Sequence, residues 1–242
     1  MRIHRIYTDQ ELQAEQTISL PEDTAHYLSR VLRVSAGQRV LVFNGDGFDY
    51  AADVDRLERG ALGLQIQARL PAVAESPLHL TLVQAISRGE RMDFSLQKAT
   101  ELGVTAIQPV FSARTEVKLK AEKQKRRLAH WRRVTISACE QSGRARVPEL
   151  NAPLDLWDWA QQETDASRIT LLPGAGRSLA SISVSSPIEL LVGPEGGLDA
   201  QELLMLEKRG VESASLGPRV LRTETAGPAA IAVLQALAGD LA

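Results

Sequence analysis

Cysteine, aromatic side chains and long apolar runs are all scarce in this sequence of 242 residues. Cys139 is the only cysteine, which excludes an intrachain disulfide and a zinc site of the CxxC type. No apolar run reaches the roughly 20 residues that a membrane-spanning helix needs. The first five residues, MRIHR, carry charges with no apolar stretch behind them, so no export signal is predicted. A reduced, cytoplasmic setting is therefore expected.

The common fingerprints of nucleotide binding are also missing. A dinucleotide site requires GxGxxG at the first strand with an acidic residue about 20 positions later, and a P-loop requires GxxxxGK followed by serine or threonine. The segment GAG at residues 174–176 matches only part of the first pattern. The sequence therefore disfavours nicotinamide and ATP chemistry.

Charge is distributed unevenly along the chain, although the net charge is only −2. Residues 114–146 hold eleven basic and three acidic side chains, which gives this segment +8 and leaves −10 for the rest. A basic block on an acidic body is typical of a surface that meets a polyanion, and the alternative is a solvated helix. Because aromatic residues make up only 4% of the chain, recognition of shape and phosphate is expected rather than base stacking.

Residues 1–72 are predicted to form a small, mostly β unit that includes one short helix. Alternating apolar residues bounded by turn residues predict its strands, at residues 39–43, 48–54 and 61–67. The segment 70–77 contains two prolines and has the composition of an interdomain linker. We therefore place a domain boundary after residue 72.

Strands and helices are predicted to alternate along residues 73–242. The predicted strands are 78–86, 104–111, 169–172, 188–192 and 213–216, and the predicted helices are 90–102, 121–142, 153–162, 199–209 and 225–238. This alternation indicates an α/β fold with a mostly parallel sheet and helices on both faces. Asp199 and Glu202 have the spacing of a capping box. The last helix is apolar on nearly all sides, so burial in the core or against a second subunit is expected.

Three glycine-containing loops follow three successive predicted strands. They are LPGAG at 172–176, GPEGG at 193–197 and LGPRVLRTETA at 216–226. Ligands in open α/β sheets bind outside the carboxyl ends of the strands, and glycine lets a ligand lie against bare backbone. Most single loops of this kind are simple turns, but three in series predict a ligand site.

The segments VGPEGGL (192–198) and LGPRVLRTETA (216–226) resemble the signature pair of the RsmE family of the SPOUT superfamily. RMDFSLQKATELGV (91–104), ACEQSGRARVP (138–148) and HYLSRVLRVSAG (26–37) resemble three further blocks of that family. The similarity therefore covers almost the whole chain. Arg88 stands where the family has lysine, and SART at 112–115 matches its block only loosely.

The resemblance implies a methyltransferase that uses S-adenosylmethionine (SAM) and methylates N3 of one uridine in the decoding region of 16S ribosomal RNA, within the small ribosomal subunit. It implies a PUA-like RNA-binding β-barrel at residues 1–72 and a SPOUT methyltransferase domain at residues 73–242. In that domain the three loops would form a deep trefoil knot. A homodimer is also implied, and neither a metal nor a membrane partner is.

The resemblance places SAM against the three loops and the chemistry at the third. The expected cofactor-binding residues are Leu172, Pro173, Gly174, Gly193, Pro194, Glu195, Gly196, Gly197, Leu216, Gly217, Leu221, Thr225 and Ala226. N3 of uracil must lose a proton before it attacks, so a base or a stabilising cation is required. Arg222 and Glu224 are the catalytic candidates: Arg222 would stabilise the uracil anion or a phosphate, and Glu224 would orient Arg222 or accept the proton. The competing interpretation is an ion pair of Arg222 with Glu224 or Glu195 that only fixes the loop, and Thr225 has capping of the last helix as its alternative role.

Basic and polar residues outside the loops are candidates for RNA contact. They are His26, Arg30, Arg33, Arg88, Gln141, Arg144 and Arg146. The first three share one flank of the N-terminal helix, although a single histidine is more often structural. The last three follow the basic helix and are expected near the entrance of the active site.

Two other functions remain open at this point. One is a non-catalytic RNA-binding factor of ribosome assembly with a degenerate cofactor site, which the intact GPEGG and LRTETA motifs disfavour. The other is a SPOUT methyltransferase that acts on transfer RNA, which the N-terminal block disfavours.

Overall fold

Alternating buried side chains build a five-stranded sheet in this computed structural model, which describes residues 3–30, 34–58, 61–116 and 121–241. The strands are β1 (Arg5–Tyr7), β2 (Thr17–Leu20), β3 (Arg39–Phe43), β4 (Phe48–Glu58) and β5 (Ala61–Pro71). Their order in the sheet is β1-β3-β4-β5-β2. β1 pairs parallel with β3, and the other pairs are antiparallel.

The β4–β5 hairpin shows how the sequence produces this sheet. Leu62, Leu64 and Ile66 are fully buried and alternate with more exposed residues, as expected for a strand with one face on a core. The pairing register shifts at two places in the hairpin, and such bulges increase twist and bend the strands. The sheet therefore curls around its core, where Ala25 and Leu28 of helix α1 (Glu22–Arg30) also pack.

A second segment of the chain completes this N-terminal unit, which comprises the described residues up to Ala74 together with Cys139–Val147. Phe43, Cys139 and Ala145 are buried against one another. The guanidinium of Arg5 donates to the carbonyl oxygen of Cys139 at 2.6 Å and to Asp49 at 2.6 Å, and it lies over the Phe43 ring. Cys139 is thus a small buried side chain in this unit.

The C-terminal unit, Glu75–Ala138 with Pro148 onward, contains a parallel sheet. Its strands are β6 (Leu80–Ala85), β7 (Ala106–Phe111), β8 (Glu149–Leu150), β9 (Leu154–Asp155), β10 (Ser167–Leu171), β11 (Ile188–Val192) and β12 (Glu212–Ala214). The order is β12-β10-β11-β6-β7-β8, and β9 pairs with β7. Every pair between these strands is parallel, which confirms the predicted α/β sheet.

Helices cover both faces of the parallel sheet. They are α2 (Glu90–Glu101), α3 (Ala121–Ser142), α4 (Leu156–Gln161), α5 (Ala200–Lys208) and α6 (Thr223–Ala238), with a 3-10 turn at Leu179–Ser181. On one face, Leu80 and Leu82 of β6 pack in a core with residues of α2, α3 and α6. On the other face, Val83 and Ala85 pack with residues of α4 and α5. Successive strand residues point to opposite faces, so β6 is buried on both.

Several element boundaries differ from those predicted. β4 and β5 extend beyond residues 54 and 67, and α4 begins only at Leu156 because Leu154 and Asp155 pair with β7 as β9. Asp155 then caps α4 by accepting from the Trp157 N–H. The capping box of α5 is confirmed, with the Asp199 and Glu202 side chains each accepting from the other's backbone N–H. Within the described ranges, no helix has both the length and the apolar character to cross a membrane.

Candidate active site

The three glycine-containing loops come together at one edge of the parallel sheet. They follow β10, β11 and β12, which are neighbours in the sheet, and the carboxyl ends of parallel strands lie at the same edge. The loops enclose a cavity of about 410 Å3. Ligand pockets in proteins span roughly 300–1,000 Å3, so a molecule of cofactor size fits this space.

Most of the predicted site residues line this cavity. Those that do are Leu172, Pro173, Gly193, Pro194, Glu195, Gly197, Leu216, Gly217, Leu221, Arg222, Glu224 and Ala226. Gly174, Gly196 and Thr225 do not line it. Gly196 lies under Arg114, whose guanidinium donates to the Gly196 carbonyl oxygen at 2.8 Å. Thr225 is the third residue of α6, and the N-cap is Arg222, so the predicted capping role of Thr225 is wrong.

Two of the loop glycines have a backbone that other residues rarely adopt. Gly197 and Gly217 have φ angles of 70° and 77°, in the left-handed region that favours glycine. A Cβ atom built on either residue would meet no other atom within 4 Å. Both residues line the cavity, so they present bare backbone to whatever occupies it.

Arg91 and Glu195 form the closest ion pair at the cavity. The Nη1 atom of Arg91 lies 3.1 Å from Oε1 of Glu195. Burial raises the pKa of Glu195, but hydrogen bonds from backbone N–H groups and from the Arg91 guanidinium outweigh it, so the net pKa is lowered. Glu195 is therefore held as a carboxylate by Arg91, and the suggested Arg222–Glu195 pair is not the one that forms.

Glu224 faces two arginines at longer range. Its Oε1 atom lies 3.9 Å from Nε of Arg91 and 3.9 Å from Nη1 of Arg222. The Oε2 atom of Glu224 is buried and has no hydrogen-bond partner. The Arg222 side chain is 78% exposed. The site thus offers a carboxylate oxygen without a hydrogen-bond partner and an exposed guanidinium beside the same cavity.

Sequence reasoning missed several residues of the cavity wall, among them Arg91, Leu198, Arg219, Val220 and Thr223. One signal was available for Arg91. It stands in the first turn of α2, just after β6, and β6 ends at the same sheet edge as the three loops. A basic residue at that place faces the ligand site for the same topological reason as the loops do.

Arg88 lies beside this site, in a second recess of about 440 Å3 that it shares with Arg91 and Glu195. The guanidinium of Arg88 pairs with Glu116 at 2.7 Å, and both side chains are largely exposed. An exposed pair of this kind contributes little to stability and exchanges easily for another anion.

The other RNA candidates fall in the N-terminal unit. His26, Gln141 and Arg146 are exposed, whereas Arg144 is only 6% exposed, which favours packing over phosphate contact for Arg144. Arg33 and the side chain of Arg30 lie outside the described residues.

Helix α3 presents its basic side chains to solvent. Trp131, Thr135 and Ala138 are buried on one face. The exposed basic residues of the helix are Lys123, Lys125, Arg126, Arg132 and Arg133. The charge excess of the sequence is therefore a surface feature. In the described part of the chain, no group of three His, Cys, Asp or Glu side chains is arranged to hold a metal ion.

Comparison with known proteins identifies relatives along the whole chain. The model of the RNA methyltransferase domain matches residues 74–235, and that of the RNA methyltransferase PUA domain matches residues 20–66. The ribosomal RNA small subunit methyltransferase E of Buchnera aphidicola subsp. Schizaphis graminum is 34% identical over 242 residues, covering 99% of this chain and 98% of that protein. Its namesake from Bacillus subtilis is 26% identical over 229 residues, covering 90% of each.

Two solved structures match the complete chain. One, from Legionella pneumophila with the cofactor SAM bound, has a TM-score of 0.96 and 38% identity, with 100% of both chains covered. The other is a ribosomal RNA small subunit methyltransferase E from Neisseria gonorrhoeae bound to SAM, with a TM-score of 0.92 and 39% identity, again over 100% of both chains.

Proposed function

The chain belongs to the RNA methyltransferase family of the ribosomal RNA small subunit methyltransferase E type, and from this premise we propose that it transfers a methyl group from SAM to N3 of a uridine in 16S ribosomal RNA. The observation that carries the proposal is the cavity at the carboxyl ends of β10, β11 and β12, with three arginines and two glutamates on its wall.

The residues of this cavity fit SAM. Leu172, Leu216 and Leu221 offer apolar contact for an adenine ring, and the bare backbone at Gly197 and Gly217 allows close approach. The other predicted cofactor residues that line the cavity are Pro173, Gly193, Pro194, Glu195 and Ala226. When bound there, SAM supplies an electrophilic methyl group, so the protein needs only to align the nucleophile and remove its proton.

Glu224 and Arg222 are suited to that proton transfer. The Oε2 atom of Glu224, buried without a partner, is an acceptor for the N3 proton of uracil. The exposed guanidinium of Arg222 reaches outward from the same loop, where it would stabilise the uracil anion as charge develops on its oxygens. Arg91 would keep Glu195 ionised and limit the motion of Glu224.

RNA would be held largely through phosphates. The exposed basic face of α3, Arg88 at the second recess, and His26, Gln141 and Arg146 in the N-terminal unit provide donors of the required kind. We assign RNA binding by a PUA-like barrel to residues 1–72 and methyl transfer by a SPOUT domain to residues 73–242. The match of a PUA domain to residues 20–66 supports the first assignment.

We extend the proposal to three properties of the family: a deep trefoil knot of the three loops, a homodimer, and action in the cytoplasm on the small ribosomal subunit. Two observations support a second copy of the chain. Leu237 at the end of α6 is 49% exposed, and Leu241 is 51% exposed, which is apolar surface that a partner would cover.

Transfer of labelled methyl groups to small ribosomal subunits that lack the modification tests the proposal. The wild type should label N3 of a single uridine, and Glu224→Gln should lower kcat by roughly 10²- to 10⁴-fold, the usual contribution of a general base. Arg209→Ala, an exposed arginine after α5, is the matched control. SAM binding without labelling would favour transfer RNA or an assembly factor, and absence of both would contradict the proposal.

A further inference from the structure

Gln84 is a fully buried amide that hydrogen-bonds to Thr223, a residue of the cavity wall. It is the next-to-last residue of β6, a strand in the middle of the parallel sheet. Its Nε2 atom donates to the Ala85 carbonyl oxygen at 3.0 Å and to Oγ1 of Thr223 at 3.1 Å. The Oε1 atom of Gln84 is buried and has no hydrogen-bond partner. Burial of an unpaired polar atom costs free energy, so packing alone does not explain an amide at this position.

Thr223 also forms a hydrogen bond to the second loop. Its hydroxyl donates to the carbonyl oxygen of Gly193 at 2.8 Å. A hydroxyl has one proton, and that proton is engaged by Gly193, so the Thr223 oxygen accepts the bond from Gln84. The result is a directed chain of hydrogen bonds that runs from Gln84 through Thr223 to Gly193.

The three residues of the chain come from separate elements. Gln84 belongs to β6, Gly193 begins the loop after β11, and Thr223 begins α6 at the end of the third loop. Neither the Gln84–Thr223 bond nor the Thr223–Gly193 bond belongs to a helix or a sheet ladder. Both Thr223 and Gly193 line the cavity. The series of hydrogen bonds therefore fixes the distance between the two loops that form these parts of the cavity wall.

We propose that Gln84 and Thr223 are positioning residues for the cofactor: they hold the second and third loops at the separation that SAM requires, without contacting the reacting atoms. This inference rests on the proposed function, because it assumes that SAM occupies the cavity. It predicts that loss of the hydrogen bonds weakens SAM binding more than it slows the chemical step.

Three variants of the full chain test it, with SAM affinity measured by calorimetry and KM and kcat measured separately. Thr223→Val removes the hydroxyl at constant shape, and we expect Kd and KM for SAM to rise roughly ten- to a hundred-fold, because two buried groups lose a partner. At saturating SAM, kcat should fall less than KM rises. Thr223→Ser keeps the hydroxyl and should restore the wild-type Kd to within about three-fold, and Gln84→Leu should weaken binding to an intermediate degree.

Thr170→Val is the matched control. Thr170 is a fully buried threonine in β10 of the same sheet, but its hydroxyl has no hydrogen-bond partner, so the same substitution breaks no such chain. A double-mutant cycle of Thr223→Val with Gln84→Leu should be strongly non-additive, because both changes interrupt one chain.

Four outcomes would overturn the inference. The first is a wild-type Kd for Thr223→Val, and the second is an equal loss of affinity in Thr170→Val, which would indicate a general effect on the sheet. The third applies if Thr223→Val does not fold: it is a Kd for SAM in Gln84→Leu that equals the wild-type value. The fourth is a wild-type protein that binds no SAM, which would overturn the proposed function as well, whereas the first three leave it intact.

Discussion

Arg91 connects the two carboxylates of the active site. It pairs with Glu195 at 3.1 Å and approaches Glu224 at 3.9 Å, so it balances part of the negative charge on the cavity wall. Without Arg91, these two carboxylates would lose the counter-charge that they share. The guanidinium therefore influences both a residue that shapes the loop and the proposed base.

Arg91→Ala should lower kcat/KM at least ten-fold, because Glu195 loses its ion pair and Glu224 loses one of its two cationic neighbours. Arg91→Lys keeps the positive charge but loses the planar guanidinium that reaches both glutamates. Its kcat/KM should lie between those of the wild type and of the alanine variant. Steady-state kinetics with labelled SAM measures this. Arg209→Ala serves as the exposed control, and unchanged kcat/KM in Arg91→Ala would contradict the assignment.

Glu140 is a carboxyl whose environment opposes its charge. Burial raises its pKa, and the backbone N–H of Tyr7 and the charge of Arg5 only partly oppose that effect. A raised pKa in the folded state gives stability that is fully present below the unfolded pKa and is lost as pH rises through the folded pKa. At neutral pH the ionised carboxyl of Glu140 therefore lowers the free energy of unfolding of the N-terminal unit.

Glu140→Gln should raise the melting temperature at pH 7, because the amide oxygen still accepts from Tyr7 while the buried charge is gone. The gain should shrink as pH falls into the acid range, where Glu140 itself becomes protonated. Thermal denaturation across this pH range measures the difference. An equal gain at both ends of the range would point to a cause other than ionisation.

Individual site residues were predictable where the chain carries a local motif. Leu221 and Arg222 stand in the third loop and Glu224 in the first turn of α6, and all three line the cavity. Arg91 and Thr223 were missed because their partners, Glu195 and Gln84, are far away in sequence. Thr225 was misassigned because α6 begins two residues earlier than its apolar pattern indicated.

Helix α3 combines two functions on two faces. Trp131 and Ala138 anchor it by burial, and its basic side chains extend into solvent, among them Arg126 and Arg133 seven positions apart on one stripe. Exposed basic residues of this kind are suited to phosphate contacts, which supply the salt-dependent part of RNA binding.

Replacing Arg126 and Arg133 together by alanine should weaken RNA binding and reduce its salt dependence. Removal of one phosphate interaction should lower the slope of log K against log salt concentration by about 0.7–0.9. Binding of an RNA fragment of the small subunit, measured at several salt concentrations, gives that slope. Lys208→Ala with Arg209→Ala, two exposed cations at the end of α5, is the control, and an equal change in both pairs would indicate a general charge effect.

The longest helix was predicted well, whereas two short strands of the N-terminal unit were not. The 22 residues of α3 were predicted with their observed limits, because apolar spacing and a terminal glycine marked them. β1, with three residues, and β2, with four, escaped prediction because strands that short carry no periodic signal. They exist only because neighbouring strands complete their hydrogen bonds.

The N-terminal unit is discontinuous in sequence. Residues up to Ala74 form the curled sheet, and Cys139–Val147 returns to cover Phe43 and to accept from Arg5. The chain between these segments belongs to the other unit. The boundary predicted after residue 72 lies where the chain leaves the curled sheet. Composition does not predict that residues 139–147 pack against this sheet again, because that contact joins positions far apart in sequence.

A fragment that ends at residue 74 should therefore be less stable than the same residues in the intact protein. Phe43 would be uncovered, and the Tyr7 N–H and Arg5 guanidinium would lose Glu140 and the Cys139 carbonyl as acceptors. Hydrogen exchange in β3 should be at least ten-fold faster in the fragment, because a hydrogen bond to a charged group contributes about 1.5–3 kcal/mol. Addition of a peptide with residues 139–147 is the control, and native-like protection without it would contradict the prediction.

This discontinuity also sets an order of events during synthesis. The ribosome releases the curled sheet early, but Cys139–Val147 emerges only after residues 75–138 have been made, which takes several seconds at roughly 5–20 residues per second. Throughout that interval Phe43 has no cover from Cys139 and Ala145. The curled sheet, which leaves the ribosome first, therefore completes its folding only after Cys139–Val147 has been synthesised.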